Sequence, residues 1–227
     1  MILKKLHRPD LFGWSVFNEE RNIDFHGTLW VHPAGNVLID PLPLNEHDEN
    51  HLDSLGGAAH LIITNSDHVR DAARILLFTG AKSWGPFAEK EQFPFDCDGW
   101  LKDGDKPVSN IEVFCMEGSK TPGELAILID ETTLVTGDII RAHEGGKLCM
   151  LPEKKLQDRD LALNSIKKLA AIKSIEAVIP GVIAFKEEAD SLPQATGWRL
   201  HMILRTYLRF RHTSLGQRST LLCRIHH

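Results

Sequence analysis

The chain has 227 residues, of which 42% are hydrophobic and 25% are charged. This is the composition of an ordinary globular protein, and it excludes a collagen-like, disulfide-framework or intrinsically disordered chain. The formal net charge is -5, with 26 Lys and Arg against 31 Asp and Glu. Because nucleic-acid binding requires a basic face, the acidic balance argues against nucleic acid as the main partner.

The sequence carries no sign of membrane insertion or export. No apolar run reaches the roughly 18–20 residues that a membrane-spanning helix requires, and the first ten residues lack the apolar stretch of a signal peptide. The cysteines show no C-x-x-C spacing, which is typical of reduced thiols; they are Cys97, Cys115, Cys149 and Cys223. We therefore expect a cytoplasmic protein.

The first half of the chain begins with a predicted β-hairpin at residues 27–41. Two apolar segments flank the turn signal His32-Pro33-Ala34-Gly35, and the second segment ends in Val37-Leu38-Ile39-Asp40. A helix follows at 45–55, with Asn45 as its expected N-cap. The remaining elements predicted in this half are a strand at 60–64, a helix at 67–79 and a strand at 81–84.

The second half of the chain repeats this order. Its predicted elements are strands at 111–116, 125–129 and 133–136, a helix at 158–172 and a strand at 177–179. In each half a hairpin runs into an aspartate, Asp40 or Asp138. Two similar sheets with helices on one face each would bury their bare faces against each other. We therefore predict an α/β fold, a four-layer αββα sandwich with two mixed β-sheets between outer helices.

The C-terminal end differs in charge from the rest. We assign residues 1–190 to the sandwich domain and 191–227 to a basic tail, because no Asp or Glu follows Asp190 whereas six arginines do. Apolar residues at near-helical spacing in 198–210 predict a terminal helix that covers the sheet. A membrane-surface or partner helix and a disordered terminus are the less favoured alternatives.

Five segments, in this order, resemble the metallo-β-lactamase fold superfamily. They are Val37-Leu38-Ile39-Asp40, Leu61-Ile62-Ile63-Thr64, the stretch from Gly118 to Glu124, Thr136-Gly137-Asp138 and Val178-Ile179-Pro180-Gly181. The resemblance covers about residues 27–181 and implies the four-layer fold. It also implies hydrolysis of a small ester, thioester or lactam beside one or two metal ions.

The metal-ligand motif of that family is altered at its first loop. The family usually carries T-H-x-H-x-D-H, because imidazole and carboxylate lone pairs at that spacing converge on metals. Here the segment is Thr64-Asn65-Ser66-Asp67-His68-Val69-Arg70. An ungapped comparison puts Asn65 and Asp67 at the two histidine positions, whereas a two-residue gap would align Asp67-His68 with the family's D-H pair.

The later ligand positions are altered as well. Lys120 replaces the histidine of the family's G-H-T-P-G, and Val182 replaces that of its P-G-H, while Asp138 matches its bridging aspartate. A protonated Lys or Arg has no lone pair to give a metal. We therefore expect no ordinary dinuclear zinc site.

Two functional hypotheses follow from the resemblance. In the first, the chain is a hydrolase whose catalytic residues are Asp67, His68 and Asp138, the same residues that would hold a single zinc, manganese or iron ion. In the second, it is a metal-free, non-catalytic binding or interaction protein. Its site would be filled by salt bridges from Lys120 and Arg70 to Asp138 and Asp67.

A small-molecule ligand or substrate with an anionic group is the partner that these residues favour. The residues expected to contact it are Lys120, Arg70, Asn65 and Glu124. Ordinary structural roles remain open for the same positions: an N-cap of the 67–79 helix for Asp67, a solvent-facing first-turn residue for His68, a strand-end turn for Asp138, an exposed loop residue for Lys120 and a solvated strand-edge residue for Glu124.

Overall fold

The computed structural model describes residues 3–144, 147–184, 203–206 and 223–226. In chain order the strands are β1 (Lys4–Lys5), β2 (Leu11–Asn18), β3 (Ile23–Trp30), β4 (Val37–Ile39), β5 (His60–Ile62), β6 (Lys82–Pro86), β7 (Gly99–Leu101), β8 (Ile111–Cys115), β9 (Leu125–Ile129), β10 (Thr133–Thr136), β11 (Ile140–Glu144), β12 (Lys147–Met150), β13 (Ala177–Pro180), β14 (Val182–Ala184), β15 (Ile203–Thr206) and β16 (Cys223–His226). The α-helices are α1 (Glu46–Ser54), α2 (Ala72–Thr79) and α3 (Arg159–Ala170), and short 3-10 helices lie at Ser66–His68, Phe87–Gln92 and Glu153–Lys155.

The strands form two mixed sheets. The first has the order β12-β11-β14-β3-β4-β5-β6-β7, with β2 and then β1 also attached to β3. The second has the order β15-β16-β13-β10-β9-β8. Both contain parallel and antiparallel pairs, such as parallel β4–β5 beside antiparallel β3–β4. The predicted α/β class with two mixed sheets is confirmed.

Alternating side chains hold the two sheets face to face. In β4, Val37 and Ile39 point into the same cluster as Ile127 and Ile129 of β9, whereas Leu38 points the opposite way, towards the helices of the first sheet. Successive strand residues point to opposite faces, so strands that are buried on both faces are apolar throughout. This inter-sheet cluster is the middle of the predicted sandwich.

The outer faces of the sheets are covered by helices. Leu52 of α1 and Ile75 of α2 pack with Leu38 and Leu61 on the first sheet. On the second sheet, Ala162 and Leu169 of α3 lie in a cluster that also contains Leu128, Leu134 and Val178. The layers are therefore helix, sheet, sheet and helix. No helix in the described part of the chain is long and apolar enough to cross a membrane.

Local signals located several elements correctly. The hairpin predicted at 27–41 corresponds to β3 and β4, which pair antiparallel. The Asn45 side chain accepts a hydrogen bond from the Asp48 amide at 2.9 Å, as expected of an N-cap that satisfies a free N–H group at the start of α1.

The helix predicted at 67–79 is wrong in its first turn. Ser66–His68 is a 3-10 helix, and α2 begins only at Ala72. The backbone of Arg70 between them is left-handed, with φ 46°, and this interrupts the helix. Asp67 is therefore not an N-cap of α2.

The terminal helix predicted at 198–210 is contradicted where the two can be compared. Ile203–Thr206 is strand β15, which pairs with β16, and β16 pairs antiparallel with β13 of the second sheet. The rest of the predicted helix lies outside the described residues. The proposed boundary at residue 190 stays a prediction.

Candidate functional site

Loops at one edge of the sandwich bring the candidate residues together. Asp40 follows β4 and His68 follows β5, and these two strands are parallel, so they end at the same edge. Asp138 follows β10 and Gly181 follows β13, which are parallel as well. Functional side chains are commonly presented by loops on such a rigid scaffold.

Asp40 anchors the first part of the site. Its buried carboxylate accepts hydrogen bonds from the Thr64 amide at 2.7 Å and from the Thr64 hydroxyl at 2.6 Å, and it lies 2.7 Å from Nδ1 of His68. Burial opposes ionisation of Asp40, but the charges of His68 and Arg70 and the bond from Thr64 outweigh it, so its pKa is below its usual range. Asp40 is therefore an anion, and its carboxylate holds the His68 ring in place.

His68 links Asp40 to Asp138. Its side chain is only 3% exposed, and its Nε2 lies 3.7 Å from Oδ2 of Asp138. The expectation that His68 faces solvent is therefore wrong. The reason is its long-range contact with Asp40, a residue 28 positions earlier in the chain.

Asp138 is surrounded by positive charge. Its Oδ1 accepts a hydrogen bond from the Arg141 guanidinium at 2.7 Å, and its Oδ2 lies 3.9 Å from Nζ of Lys120. Burial opposes ionisation, but the charges of His68, Arg141 and Lys120 outweigh it and hold the pKa of Asp138 below its usual range. Asp138 is thus a buried carboxylate with compensating cations.

Lys120 and Asp67 form the outer part of the site. Their side chains make a hydrogen-bonded ion pair, and they are 37% and 44% exposed. The predicted pairing of Lys120 with Asp67 is confirmed. The contact of Lys120 with Asp138 is an ion pair at 3.9 Å that is too long for a direct hydrogen bond. Of the network, this outer pair is the part that a molecule in solution can reach.

The predicted salt bridge of Arg70 is wrong. Its guanidinium donates instead to the backbone carbonyls of His26 at 2.5 Å, Asp40 at 2.8 Å and Gly181 at 3.3 Å. The left-handed backbone of Arg70 turns the chain away from the helix that would have exposed it. Burial and the Arg70 charge also lower the pKa of His26 to about 3, so that ring is neutral.

Arg141 takes the place expected for Arg70. It lies three residues after Asp138, on β11, and its Nε also donates to the Asp138 carbonyl at 3.2 Å. The sequence comparison missed Arg141 because it belongs to none of the motif segments. An arginine three residues after an expected buried aspartate was the one signal present in the sequence.

Glu124 supports Asp138 from behind. It is fully buried, so the expectation of a solvated strand-edge residue is wrong. Its Oε1 accepts hydrogen bonds from the amides of Asp138 at 2.6 Å and Ile139 at 2.8 Å, and its Oε2 accepts one from the Ser119 hydroxyl. Burial and the nearby Asp138 charge raise the pKa of Glu124 to about 8. Glu124 positions the Asp138 loop and is not exposed to a ligand in solution.

Asn65 and Gly137 meet at the base of the site. Asn65 is buried, and its Oδ1 accepts from the Asp67 amide at 3.0 Å. Its Nδ2 has no hydrogen-bond partner among the described residues. A Cβ at Gly137 would lie 2.9 Å from this nitrogen and 2.9 Å from the Thr64 hydroxyl. Only glycine at 137 allows the two strand ends to approach this closely.

The metal donors available here are few. Across residues 3–144, 147–184 and the two short tail strands, no group of three or more His, Cys, Asp or Glu side chains is arranged to hold a metal ion. The groups nearest to such an arrangement are Nε2 of His68 and Oδ2 of Asp138, 3.7 Å apart. Among the residues that the structure describes, a third metal ligand is missing beside these two groups, because Lys120 lies there, between Asp138 and Asp67.

Solved structures share this architecture at low sequence identity. The DIM-1 metallo-β-lactamase is 17% identical, with a TM-score of 0.62 over 80% of this chain and 89% of that chain. A metallo-β-lactamase from Hirschia baltica is 14% identical, with a TM-score of 0.61 over 81% and 90%. ETHE1 from Myxococcus xanthus is 17% identical, with a TM-score of 0.54 over 74% of each chain. No curated protein matches the sequence.

A family-level comparison agrees with these structures. The sequence matches the metallo-β-lactamase superfamily over residues 3–193, which is most of the chain and includes every residue of the site. The resemblance first read from five short segments is thereby confirmed. With its two mixed sheets, its outer helices and Asp138 at the end of β10, the chain belongs to the metallo-β-lactamase superfamily.

Proposed function

We propose that this chain is a metal-independent member of its superfamily, in which ion pairs fill the site and Lys120 binds a small anionic molecule. The observation that carries the proposal is the distribution of charge around Asp138. Arg141 donates to one of its oxygens, and His68 and Lys120 face the other. A buried carboxylate requires compensating positive charge. In the family's usual site a metal supplies that charge, and here these groups supply it.

This set of donors does not fit the metal centre that the family usually carries. Lys120 and Arg141 offer hydrogen-bond donors and no lone pair. An ion placed between His68 and Asp138 would also lie against the Lys120 ammonium, which is 3.9 Å from Oδ2 of Asp138. Two like unit charges about 4 Å apart repel each other by roughly 4 kcal/mol near a protein surface.

The exposed end of the network supports recognition of an anion. The Lys120–Asp67 pair is more than one-third exposed on both sides, and such pairs contribute only about 0.2–1 kcal/mol. A carboxylate or phosphate from solution can therefore displace Asp67 from Lys120 at little cost. The inner pair of Arg141 and Asp138, with side chains 6% and 3% exposed, stays in place.

Two measurements test this proposal. Elemental mass spectrometry of untagged protein, purified without added metal, should give no stoichiometric zinc, manganese or iron. Inorganic phosphate and acetate should shift the NMR signals of residues near Lys120, and Lys120→Met should abolish the shift while Lys168→Met, on the exposed face of α3, leaves it intact. About one metal ion per chain that is lost in Asp138→Ala would contradict the proposal.

A second candidate is hydrolysis of a small ester, thioester or lactam, with Asp67, His68 and Asp138 as catalytic residues. One observation favours it: the Asp40 carboxylate holds Nδ1 of His68 at 2.7 Å and so aims Nε2 at Asp138. A ring oriented in this way suits a general acid or base. If a single zinc, manganese or iron ion were bound, the same three residues would hold it and it would lower the pKa of a bound water.

Burial weighs against this second candidate. The side chains of His68 and Asp138 are each 3% exposed, so they offer almost no surface to a substrate, whereas the outer pair of Lys120 and Asp67 is accessible. The test is a panel of p-nitrophenyl esters, thioesters, lactones and β-lactams, with and without a chelator. Chelator-sensitive turnover that Asp138→Asn abolishes would establish the hydrolase and overturn the binding proposal.

The proposed compartment is the cytoplasm. Cys97 and Cys115 form no disulfide, which is the usual state of thiols in a reducing compartment. Burial raises the pKa of these thiols to about 12 and about 11, so they are unreactive at neutral pH. The absence of a nucleic-acid partner and of membrane contact through the tail remain predictions.

A further inference from the structure

Glu89 is a buried carboxylate that neither hypothesis uses. It lies in the 3-10 helix Phe87–Gln92, just after β6, and is 5% exposed. A carboxylate that is removed from water needs hydrogen-bond donors. Its donors are two backbone amides: Ser66 N–H to Oε2 at 2.8 Å, and Gly123 N–H to Oε1 at 3.2 Å.

These two amides belong to the two loops that build the outer site. Ser66 directly precedes Asp67, and Gly123 lies three residues after Lys120. The carboxylate of Glu89 therefore joins the loop that carries the acid of the exposed ion pair to the loop that carries its base. The same two loops are also joined by a backbone hydrogen bond from the Leu125 amide to the Thr64 carbonyl at 2.8 Å, so Glu89 is a second link, closer in sequence to the ion pair.

The contact at Gly123 is close. A Cβ at this position would lie 2.8 Å from Cγ of Glu89, 3.1 Å from Cβ of Pro86 and 3.2 Å from Cβ of Ala88. A residue with a side chain would push the 3-10 helix away from the Lys120 loop. The spacing of the two loops next to the ion pair thus depends on Glu89 and on the missing side chain of Gly123.

We infer that Glu89 is a positioning residue of this site: by holding the amides of Ser66 and Gly123 on one carboxylate, it keeps Lys120 and Asp67 within ion-pairing distance. An exposed ion pair is weak because two flexible side chains must be ordered to form it, and two loops held at the right spacing reduce that cost. Glu89 has this role whether the ion pair binds an anion or takes part in hydrolysis.

The test is the chemical reactivity of Lys120 in the full chain. Acetic anhydride acetylates accessible lysines, and peptide mass spectrometry gives the rate at each position. Lys168, an exposed residue in the last turn of α3, is the internal reference. Asp67→Asn removes the acid of the pair and calibrates the response.

Glu89→Gln keeps the size of the side chain but replaces one acceptor oxygen with an amide donor. Lys120 should then react about 1.4- to fivefold faster relative to Lys168, the range that corresponds to loss of an exposed ion pair worth about 0.2–1 kcal/mol. Asp67→Asn should give a ratio in the same range.

Ser66→Pro is a second variant that leaves Glu89 unchanged. Ser66 is the first residue of its 3-10 helix, and Asn65 before it is extended, with φ -163° and ψ 167°. Both positions suit a proline at 66, which removes the amide proton that Glu89 accepts and, with it, the Ser66 hydroxyl. Its effect should have the same direction and be smaller, because the bond to Gly123 remains.

A purely structural role for Glu89 has a different signature. General destabilisation lowers the melting temperature but leaves the unfolded fraction very small at the assay temperature, so neither lysine reacts faster and their ratio stays constant. If Glu89→Gln and Ser66→Pro both leave the ratio unchanged while Asp67→Asn raises it, the inference is overturned. That result would leave the proposed anion binding untouched, since phosphate binding by the unmodified protein is measured separately.

Discussion

Replacing Arg141 tests whether ion pairs hold this site together. In Arg141→Met the buried Asp138 carboxylate loses the hydrogen bond at 2.7 Å. Removing one partner of a buried ion pair costs about 3–5 kcal/mol, because the remaining charge is left without compensation. His68 at 3.7 Å and Lys120 at 3.9 Å still face the other oxygen of Asp138. We therefore expect the lower end of that range, about 3 kcal/mol.

Such a loss is large for a protein of this size. For a domain of about 200 residues, about 3 kcal/mol corresponds to a decrease in melting temperature of roughly 6–12 °C. The matched control is Lys120→Met, which breaks a more exposed pair on the same network and should cost only about 0.2–1 kcal/mol. Urea unfolding followed by circular dichroism gives the free energy of unfolding for each variant.

The double variant Arg141→Met/Asp138→Asn identifies the cause of the loss. Because it removes both charges, it should recover much of the stability that Arg141→Met loses, with a coupling energy of at least about 1 kcal/mol between the two positions. A coupling near zero would refute the reasoning, since Arg141 would then stabilise the protein by packing and not by its charge. A normal melting temperature for Arg141→Met alone would refute it as well.

Three further predictions concern the same site. Burial and Asp138 raise the pKa of Glu124 from 4.5 to about 8, so the folded state keeps a proton that the unfolded state releases. The stabilisation that is present below pH 4.5 is therefore lost as the pH rises towards 8. Glu124→Gln should flatten this part of the curve of unfolding free energy against pH. Gly137→Ala should cost about 1–3 kcal/mol in urea unfolding, because the new Cβ would lie 2.9 Å from Asn65 and from Thr64; an unchanged midpoint would show that the strand ends separate freely. Lys120→His exchanges a cation for a lone pair beside His68 and Asp138. It should increase the zinc affinity measured by calorimetry by at least about tenfold, a gain of about 1.4 kcal/mol. No gain in affinity would mean that Lys120 is not what excludes the metal.

The parts of the fold that the sequence could predict are those with local causes. The turn at His32-Pro33-Ala34-Gly35 fixed the hairpin, and Asn45 fixed the start of α1, because a turn or a cap depends on residues a few positions apart. The ion pair of Lys120 with Asp67 has no local cause, since 53 residues separate the two along the chain. It could be predicted only because the family resemblance placed the two loops together.

The errors have long-range causes. His68 was expected in solvent because a first helical turn usually is exposed, but Asp40 draws its ring inside. The helix begins late because Arg70 adopts a left-handed backbone and binds three carbonyls. Arg141 and Glu89 escaped notice because their partners are a buried carboxylate and two backbone amides, and neither interaction leaves a pattern in the sequence.

The three carbonyl bonds of Arg70 have a consequence for how the chain folds. Its guanidinium meets the carbonyl oxygens of His26, Asp40 and Gly181, which lie 44, 30 and 111 positions away. Loops of such lengths are costly in entropy to close, and contacts that close them tend to form after local ones. The contacts of Arg70 therefore form late in folding. Removal of its side chain should speed unfolding far more than it slows folding, so the native state would have a shorter lifetime.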